Sequence, residues 1–311
     1  MGRLTAAQLG SFRREGFLVL PNLFPPPAVA LLVEEISSFL EAKAADEHRA
    51  GRLTADDCAS LARLPFDQRS ARLCELLGEP PAHMPPTLSA VSSKSHTTVG
   101  MHSLMTHPSL LDVAASVIGE EVLVHPQFNM RGMLPQSKGV MWHQDLAFLE
   151  PECEPTAFAN FWIPLQDITP AHGGLMVAPQ SHAAGALPHV VQGTPLAPYS
   201  QVTLDMNACG GVLPGTGEPE LVDTLPVGGG VLFTHKMLHS SRTNLSCCAR
   251  WTLDIRYSEL GMPTGRPAVP GFVGRSSQVA ANTHEEWLAA LGAGGSYLPL
   301  QDGGRPPTPR L

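Results

Sequence analysis

The sequence lacks any apolar run long enough to cross a membrane. Its longest apolar stretches, Ala28–Val33 and Val227–Phe233, fall far short of the roughly 20 residues that a membrane-spanning helix needs. Charged residues are also scarce: they make up 15% of the 311 residues, whereas hydrophobic residues make up 43%. This balance argues against a disordered chain and favours a globular protein with a large core.

Basic residues are few as well. Lys and Arg total 20 against 28 for Asp and Glu, so the net charge is -8, which disfavours a nucleic-acid partner. The first residues show neither the apolar segment nor the cleavage site of a secretory signal, and we expect a cytoplasmic protein. The alternative is a peroxisomal one, because Pro309, Arg310 and Leu311 loosely resemble the S-K-L targeting signal.

Cysteine is sparse, and no two cysteines have the C-x-x-C spacing of a zinc site or a redox motif. A chain of this length needs no disulfide to stabilise its core. We therefore expect free thiols, buried as is usual for Cys. The six cysteines are Cys58, Cys74, Cys153, Cys209, Cys247 and Cys248.

The first 120 residues carry helical patterns. Thr5 followed by Gln8 resembles a capping box, and Gly16 ends the short helix that this pattern predicts before a strand FLVL. Apolar residues at helical spacing then predict a long amphipathic helix after three prolines. Further helices are predicted at Thr54–Leu64, Asp67–Leu77 and Leu110–Ile118, with a Pro-rich connection, GEPPAHMPP, before the last.

From residue 121 onward, short strands are separated by Gly, Pro, Asn and Asp, as in a sandwich or barrel. The predicted strands are EVLVHPQFNMRGML, VMWHQDLAFL, TAFANFWIPLQD, GLMVAP, ELVDTLP, GGVLFTHKMLHSS and ARWTLDIRYSE. We therefore predict an α+β, mainly β fold in one domain over residues 1–300. Residues 1–120 are its mainly helical part, residues 121–260 its jelly-roll, cupin-like core, and residues 301–311 a flexible tail.

The sequence WHQD at residues 142–145 is the first indication of a metal site. On the predicted strand, His143 and Asp145 are two residues apart and project to the same face. A second His from elsewhere would complete the facial triad of two His and one carboxylate that holds Fe(II) with open positions. The H-x-D pattern alone is weak, because such a triplet also occurs in surface turns and around core histidines.

A C-terminal segment, HKMLHSSRTNLSCCARWTLDIRY, supplies the remaining candidates. His239 is the candidate third ligand, and a predicted hairpin would place Arg250 beside it on the neighbouring strand. The rigid fork of Arg250 would then pair with the far carboxylate of a small dicarboxylic acid on the metal. Ser241 shares the face of His239 and could add a hydroxyl donor. The alternative for Arg250 is a structural ion pair.

Three blocks together resemble the phytanoyl-CoA dioxygenase family of Fe(II)/2-oxoglutarate oxygenases. They are WHQD, the segment FWIPLQDITPAHGGLMVAPQSH at residues 161–182, and His239 followed after ten residues by Arg250. The middle block is the most specific, because it matches the strand, turn and strand of the family almost step by step. The resemblance covers most of the chain and implies a double-stranded β-helix.

The resemblance also implies the cofactors and the site. Iron is expected at His143, Asp145 and His239, with 2-oxoglutarate anchored by Arg250 and Ser241 and with O2 as the oxidant. Trp162 and Asn129 fall where the family contacts the cosubstrate. Thr98 falls where relatives often carry a Lys, with Lys94 four residues earlier.

The implied reaction is a hydroxylation that releases succinate and CO2. The substrate is expected to be a small organic or lipid-like molecule. Asp145 argues against halogenation, because related halogenases have a small residue in its place.

Three points remain open at this stage. Cationic residues in the helical third could hold a coenzyme A group or form a solvated helix face; they are Arg49, Arg52, Arg63, Arg69, Arg72 and Lys94. The segments Glu150–Glu154 and Leu187–Gly217 are predicted lids. The alternative functions are a non-catalytic jelly-roll protein that binds a metal and a dicarboxylate, and a cupin-like zinc hydrolase or isomerase.

Overall fold

The computed structural model describes residues 1–82, 84–192, 201–215 and 217–292. The predicted tail 301–311, with its terminal tripeptide, and part of the predicted lid Leu187–Gly217 lie outside the described residues. None of the described helices is long and apolar enough to span a membrane.

The helices and strands have the following bounds. The helices are α1 (Ala6–Glu15), α2 (Ala30–Arg49), α3 (Ala55–Ala62), α4 (Phe66–Leu76), α5 (Pro86–Ser95), α6 (Val99–Met105), α7 (Pro108–Ile118) and α8 (His284–Gly292). The strands are β1 (Phe17–Leu20), β2 (Val122–Val124), β3 (Asn129–Met133), β4 (Phe158–Pro164), β5 (Leu175–Val177), β6 (His189–Gln192), β7 (Gln201–Leu204), β8 (Glu220–Val222), β9 (Gly230–Phe233), β10 (His239–Ser241), β11 (Arg250–Glu259) and β12 (Phe272–Arg275).

The strands form a major and a minor antiparallel sheet. The major sheet has the order β1-β9-β4-β11-β2-β12, and β3 also pairs with β11. The minor sheet has the order β10-β5-β8, and β6 and β7 form a separate two-stranded hairpin. Helices together with antiparallel sheets give the α+β, mainly β class that the sequence predicts.

Strand β11 separates the core from the site. Its odd-numbered residues from Trp251 to Tyr257 are fully buried in the hydrophobic core that also contains the helices. Its even-numbered residues point to the opposite face, which we call the inner face of the major sheet; on β11 it carries Arg250, Asp254 and Arg256. The core therefore anchors a strand whose other face is free to carry polar chemistry.

Helices α1 and α2 show the ends and the buried face that the sequence predicts. Thr5 caps α1 in a capping box with Gln8, and Gly16 ends that helix in the left-handed conformation. Helix α2 buries the apolar face predicted for it, including Leu32 and Ile36.

Three helices were not predicted. Pro86 occupies the first turn of α5, where a missing N–H costs nothing, so the Pro-rich connection ends in a helix. Thr98 caps α6, and α8 follows the last strand. In α5, Ser and Thr residues hide the helical pattern, because such residues are usually read as loop signals.

Two predicted strand arrangements are wrong. The segment VMWHQDLAFL forms no strand: His143 makes one isolated bridge to His239, and residues 145–148 form a short 3-10 helix. The predicted hairpin also fails, because β10 pairs with β5 in the minor sheet whereas β11 lies in the major sheet. His239 and Arg250 thus lie in different sheets.

All six cysteines are free, as predicted. The expectation that they are buried is only partly met, since Cys74 and Cys153 are buried whereas Cys247 is exposed.

Candidate metal centre

The structure brings His143, Asp145 and His239 together. One ligand atom from each of the three lies within 4.8 Å of the other two, and all three residues are buried. The carboxylate Oδ1 of Asp145 is 4.0 Å from Nε2 of His239, and the two imidazole rings are 4.2 Å apart between centroids. A single ion could therefore be held by all three side chains.

Backbone hydrogen bonds set the positions of the two histidines. The N–H of His143 donates to the carbonyl of His239, and the N–H of His239 donates back, both at 3.0 Å. This reciprocal pair of hydrogen bonds attaches the irregular segment around His143 to the edge strand β10. Asp145 then follows at the first position of the 3-10 helix, so a turn rather than a strand aims its carboxylate at the histidines.

Each histidine is held in one tautomer. Nδ1 of His143 donates to the carbonyl of Met141 at 2.8 Å, and Nδ1 of His239 donates to the carbonyl of Met237 at 3.0 Å. Because a carbonyl can only accept, the proton lies on Nδ1 and the lone pair of Nε2 is left for a metal. Burial lowers the pKa of His143 well below 6.5, which keeps this ring neutral.

Asp145 is held as a carboxylate by Arg256. Nε of Arg256 donates to Oδ2 at 3.1 Å and Nη2 donates to Oδ1, while the amide of Asn160 donates to Oδ2 at 2.6 Å. Burial alone would raise the pKa of Asp145, but the charge and hydrogen bonds of Arg256, with the nearby His239, hold it below 3.8. The carboxylate is thus ionised and oriented.

Arg250 is a buried cation beside the same site. Nη1 donates to the carbonyl of His172 at 3.1 Å and to that of Gly173, while Nη2 contacts the sulfur of Met133. In the described ranges, no carboxylate lies within 4.0 Å of it, and its buried Nε has no partner. Burial lowers the pKa of Arg250 to about 10. Such a cation is suited to bind an anionic ligand.

The turn that receives Arg250 depends on Gly173. This residue has a φ of +69°, and an added Cβ would lie 2.2 Å from the carbonyl oxygen of Thr243. Only glycine fits such a close, left-handed approach. The carbonyl of Gly173 also accepts the N–H of Arg242 at 3.1 Å, so the Arg250 head group meets the end of β10.

The other residues predicted to contact the cosubstrate include Trp162, Ser241 and Asn129. The Arg250 guanidinium carbon is 6.0 Å from the ring centroid of Trp162. The hydroxyl of Ser241 accepts the N–H of Val140 at 2.9 Å. The side-chain nitrogen of Asn129, opposite Asp254 on the inner face, is buried and has no hydrogen-bond partner.

Thr98 lies in the helical layer instead. Its hydroxyl accepts the N–H of Met101 at 3.3 Å and donates to the carbonyl of Ser95 at 3.1 Å. The structure thus gives Thr98 a capping role, and its contact with a cosubstrate stays a prediction.

Arg256 and Asn160 are two residues of the site that were not predicted from the sequence. The signal for Arg256 was present, because alternate residues of the predicted strand ARWTLDIRYSE share a face, and Arg256 is six residues after Arg250. Asn160 had no such signal, since β4 is buried along its whole length and alternation on it cannot be read from hydrophobicity.

The residues present fit iron and a dicarboxylate. Two neutral imidazole nitrogens and one ionised carboxylate form the donor set of non-heme Fe(II) sites. The orphaned Nε of Arg250 gives a planar anion a place to bind.

The chain is similar in sequence to known dioxygenases and hydroxylases. The profile of the phytanoyl-CoA dioxygenase (PhyH) family matches residues 12–252. The ectoine dioxygenase of Bordetella parapertussis is 26% identical over 272 residues, which cover 83% of this chain and 76% of that protein. The 1-deoxypentalenic acid 11-beta-hydroxylase of Streptomyces exfoliatus is 30% identical over 216 residues, covering 65% and 73%.

The fold is also found among solved structures. The apo structure of the non-heme monooxygenase ThoJ superposes with a TM-score of 0.58 at 22% identity. The superposition covers 91% of this chain and 92% of that one. The double-sheet architecture with its helical layer is thus that of a known non-heme oxygenase.

Proposed function

Because the chain belongs to the phytanoyl-CoA dioxygenase family of Fe(II)/2-oxoglutarate oxygenases, we propose that it hydroxylates a small organic molecule and releases succinate and CO2. The single observation that carries this proposal is the buried cluster of His143, Asp145 and His239 with the unpaired guanidinium of Arg250 beside it.

The three ligands would hold the metal on one side only. The Nε2 atoms of His143 and His239 and one oxygen of Asp145 would provide three donors, so a metal held by them would remain able to bind other ligands. When bound, Fe(II) with 2-oxoglutarate and O2 supplies the oxidising power that converts a C–H bond to C–OH. Arg256 and Asn160 keep the Asp145 carboxylate oriented towards the two histidines.

Arg250 would anchor the cosubstrate. Its Nε is free to donate to the carboxylate of 2-oxoglutarate farthest from the metal, and Trp162 shields the guanidinium from water. We include Ser241 and Asn129 as further cosubstrate contacts, because a hydroxyl lies at the end of β10 and an unpartnered amide nitrogen lies on the inner face.

Burial contributes to the reaction by excluding water. The three ligands and Arg250 are only 2% to 7% exposed, so the cosubstrate anchor and the candidate metal site lie away from bulk solvent. A dry site strengthens the ion pairs that orient the reactants and limits side reactions.

The basic residues of the helical third give a coenzyme A substrate little support. Four of the six, Arg49, Arg52, Arg69 and Arg72, each pair with a carboxylate, so their charge is already balanced. The relatives named for ectoine and for 1-deoxypentalenic acid support a small, free metabolite instead.

Turnover of 2-oxoglutarate tests the proposal. The protein is supplied with Fe(II), O2 and 2-oxoglutarate, and succinate is quantified for the wild type and for His239→Ala. We expect iron-dependent succinate formation that this variant loses. A folded protein that forms no succinate with iron but binds zinc tightly would instead indicate the zinc enzyme or the non-catalytic binding protein.

A further inference from the structure

On β3 and β11, the inner face of the major sheet is accessible at three polar residues. On β11, each residue from Arg250 to Ser258 is buried except Asp254. On β3, the two residues that are not buried are Asn129 and Arg131, and Asn129 lies directly opposite Asp254 in the sheet register. On these two strands, the accessible part of the inner face is thus polar.

Arg131 and Asp254 form an ion pair within this polar part. Nε of Arg131 is 2.8 Å from Oδ2 of Asp254, and the two side chains are 27% and 17% exposed. On the same face, Arg250 and Arg256 are only 2% and 3% exposed. A partly exposed ion pair adds little stability, so stability alone is a weak reason for two charges to face inward here.

Along β11, Asp254 of this ion pair lies between Arg250, the proposed cosubstrate anchor, and Arg256, which binds the candidate metal ligand Asp145. Asp254 is two residues from Arg256, about 6.6 Å along a strand, and four residues from Arg250. Burial lowers the pKa of Arg250 to about 10, which the charge of Asp254 opposes and that of Arg131 reinforces. Both charges therefore act at the site where a substrate must meet the metal and 2-oxoglutarate.

We propose that Arg131 and Asp254 bind the substrate and select a small zwitterion, a molecule with a cationic amine and an anionic carboxylate. This inference rests on the proposed function, because it needs the metal and the cosubstrate beside the pair. Arg131 would bind the carboxylate through its planar fork, and Asp254 would accept hydrogen bonds from the ammonium group. Each charge of the internal pair then has an opposite charge on the substrate.

The same arrangement selects against a hydrocarbon chain. A lipid tail over Arg131 and Asp254 would remove water from both charges without providing a hydrogen-bond partner, which is costly. Two phenyl rings pack on the metal-binding histidines: Phe148 lies edge-on to His143 at 5.7 Å between centroids, and Phe233 lies 4.7 Å from His239. These two rings suit a compact carbon skeleton.

A charge-matched panel tests the substrate class. The holoenzyme, with Fe(II) and 2-oxoglutarate, is assayed for succinate formation above its basal rate. The probes are the proteinogenic amino acids, their methyl esters, their N-acetyl derivatives, and C8 to C16 fatty acids. We expect stimulation by at least one amino acid, and loss of it when either charge is masked. Stimulation by fatty acids alone, or by no zwitterion in the panel, overturns the proposal.

Variants separate recognition from structure. Asp254→Asn and Arg131→Gln should each raise the half-saturating concentration of the zwitterion by about tenfold or more. The double variant Arg131→Asp with Asp254→Arg restores an ion pair but reverses its direction. It should therefore not recover stimulation, whereas a purely structural pair would recover. Unchanged half-saturation in both single variants, or full recovery in the double variant, overturns the proposal.

The matched control is the ion pair of Arg275 and Asp112, which has the same 2.8 Å distance and side-chain exposures of 26% and 32%. Asp112→Asn should leave stimulation unchanged. Failure of the proposed function is distinguished by the basal reaction: a wild type without iron-dependent succinate formation lacks the oxygenase activity itself. A wild type with that basal reaction but no response to zwitterions contradicts only the substrate class.

Discussion

Arg256 holds both oxygens of the Asp145 carboxylate, across 111 residues of sequence. The two side chains are 3% and 2% exposed, so this ion pair is buried. Asp145 lies on an irregular turn that no sheet hydrogen bonds stabilise. Arg256, rigidly placed on β11, therefore compensates for the missing strand and prepares the carboxylate for a metal.

Replacing Arg256 should weaken metal binding. We expect Arg256→Gln to reduce Fe(II) affinity by roughly 10- to 100-fold, the usual effect of removing a residue that orients a metal ligand. The Fe(II) affinity of Arg256→Lys should lie between those of Arg256→Gln and the wild type, because lysine keeps the charge but not the planar guanidinium group. Anaerobic titration with Fe(II) measures the affinity, with circular dichroism to confirm folding. Equal affinities in folded wild type and Arg256→Gln would contradict the role.

Replacing Arg250 should affect the cosubstrate rather than the metal. We expect Arg250→Gln to raise the KM for 2-oxoglutarate by about tenfold or more, since a hydrogen bond to a charged group contributes roughly 1.5–3 kcal/mol. Fe(II) affinity should stay within a few-fold of the wild type, because Arg250 contacts none of the three ligands. A variant with normal KM would show that the cosubstrate is anchored elsewhere.

Gly173 should be the costlier of two matched glycines. Gly173 and Gly78, which follows the end of α4, have φ values of +69° and +68°, but an added Cβ meets backbone oxygen only at Gly173. Gly78→Ala should cost about 1–2 kcal/mol of stability, for the left-handed conformation alone. Gly173→Ala should cost a further 1–3 kcal/mol or so, because the backbone must move, and should also raise the KM for 2-oxoglutarate. Equal losses in denaturant unfolding would contradict this difference.

Glu47 should give the helical layer a pH dependence. It is buried between Arg52 and Lys43, whose hydrogen bonds hold the pKa of Glu47 at about 2 against 4.5 ordinarily. Its stabilisation is therefore complete above pH 4.5 and is lost as the pH falls through 2. Glu47→Gln should be less stable than the wild type at pH 7, with a gap that narrows below pH 4.5. A constant gap in unfolding free energy from pH 7 to pH 3 would contradict this.

Local signals in the sequence were sufficient for much of the fold. The capping box at Thr5, the apolar face around Ile36 and the alternating strand at 250–259 each depend on neighbours a few residues away. Such patterns are read directly from a chain. Helix α5 was missed because its stability comes from packing on β3, where Ser92 donates to the carbonyl of Met130, and not from its own composition.

The site was predicted for a partly wrong reason. His143 and Asp145 were expected on one strand face, yet a bridge and a turn bring them together. His239 and Arg250 were expected in one hairpin, yet they lie in different sheets. The family resemblance carried the residue identities, whereas the geometry depends on contacts between distant segments, such as Arg256 with Asp145, that spacing cannot show.

The most direct test of the central claim is the visible metal-to-ligand charge-transfer band of the assembled site. The apoprotein is mixed anaerobically with Fe(II) and 2-oxoglutarate, with His143→Ala, Arg250→Ala and the control Asp112→Asn in parallel. We expect a band in the wild type and the control, no band in His143→Ala, and a band that needs more 2-oxoglutarate in Arg250→Ala. A folded wild type that binds Fe(II) but shows no band with 2-oxoglutarate would contradict the account.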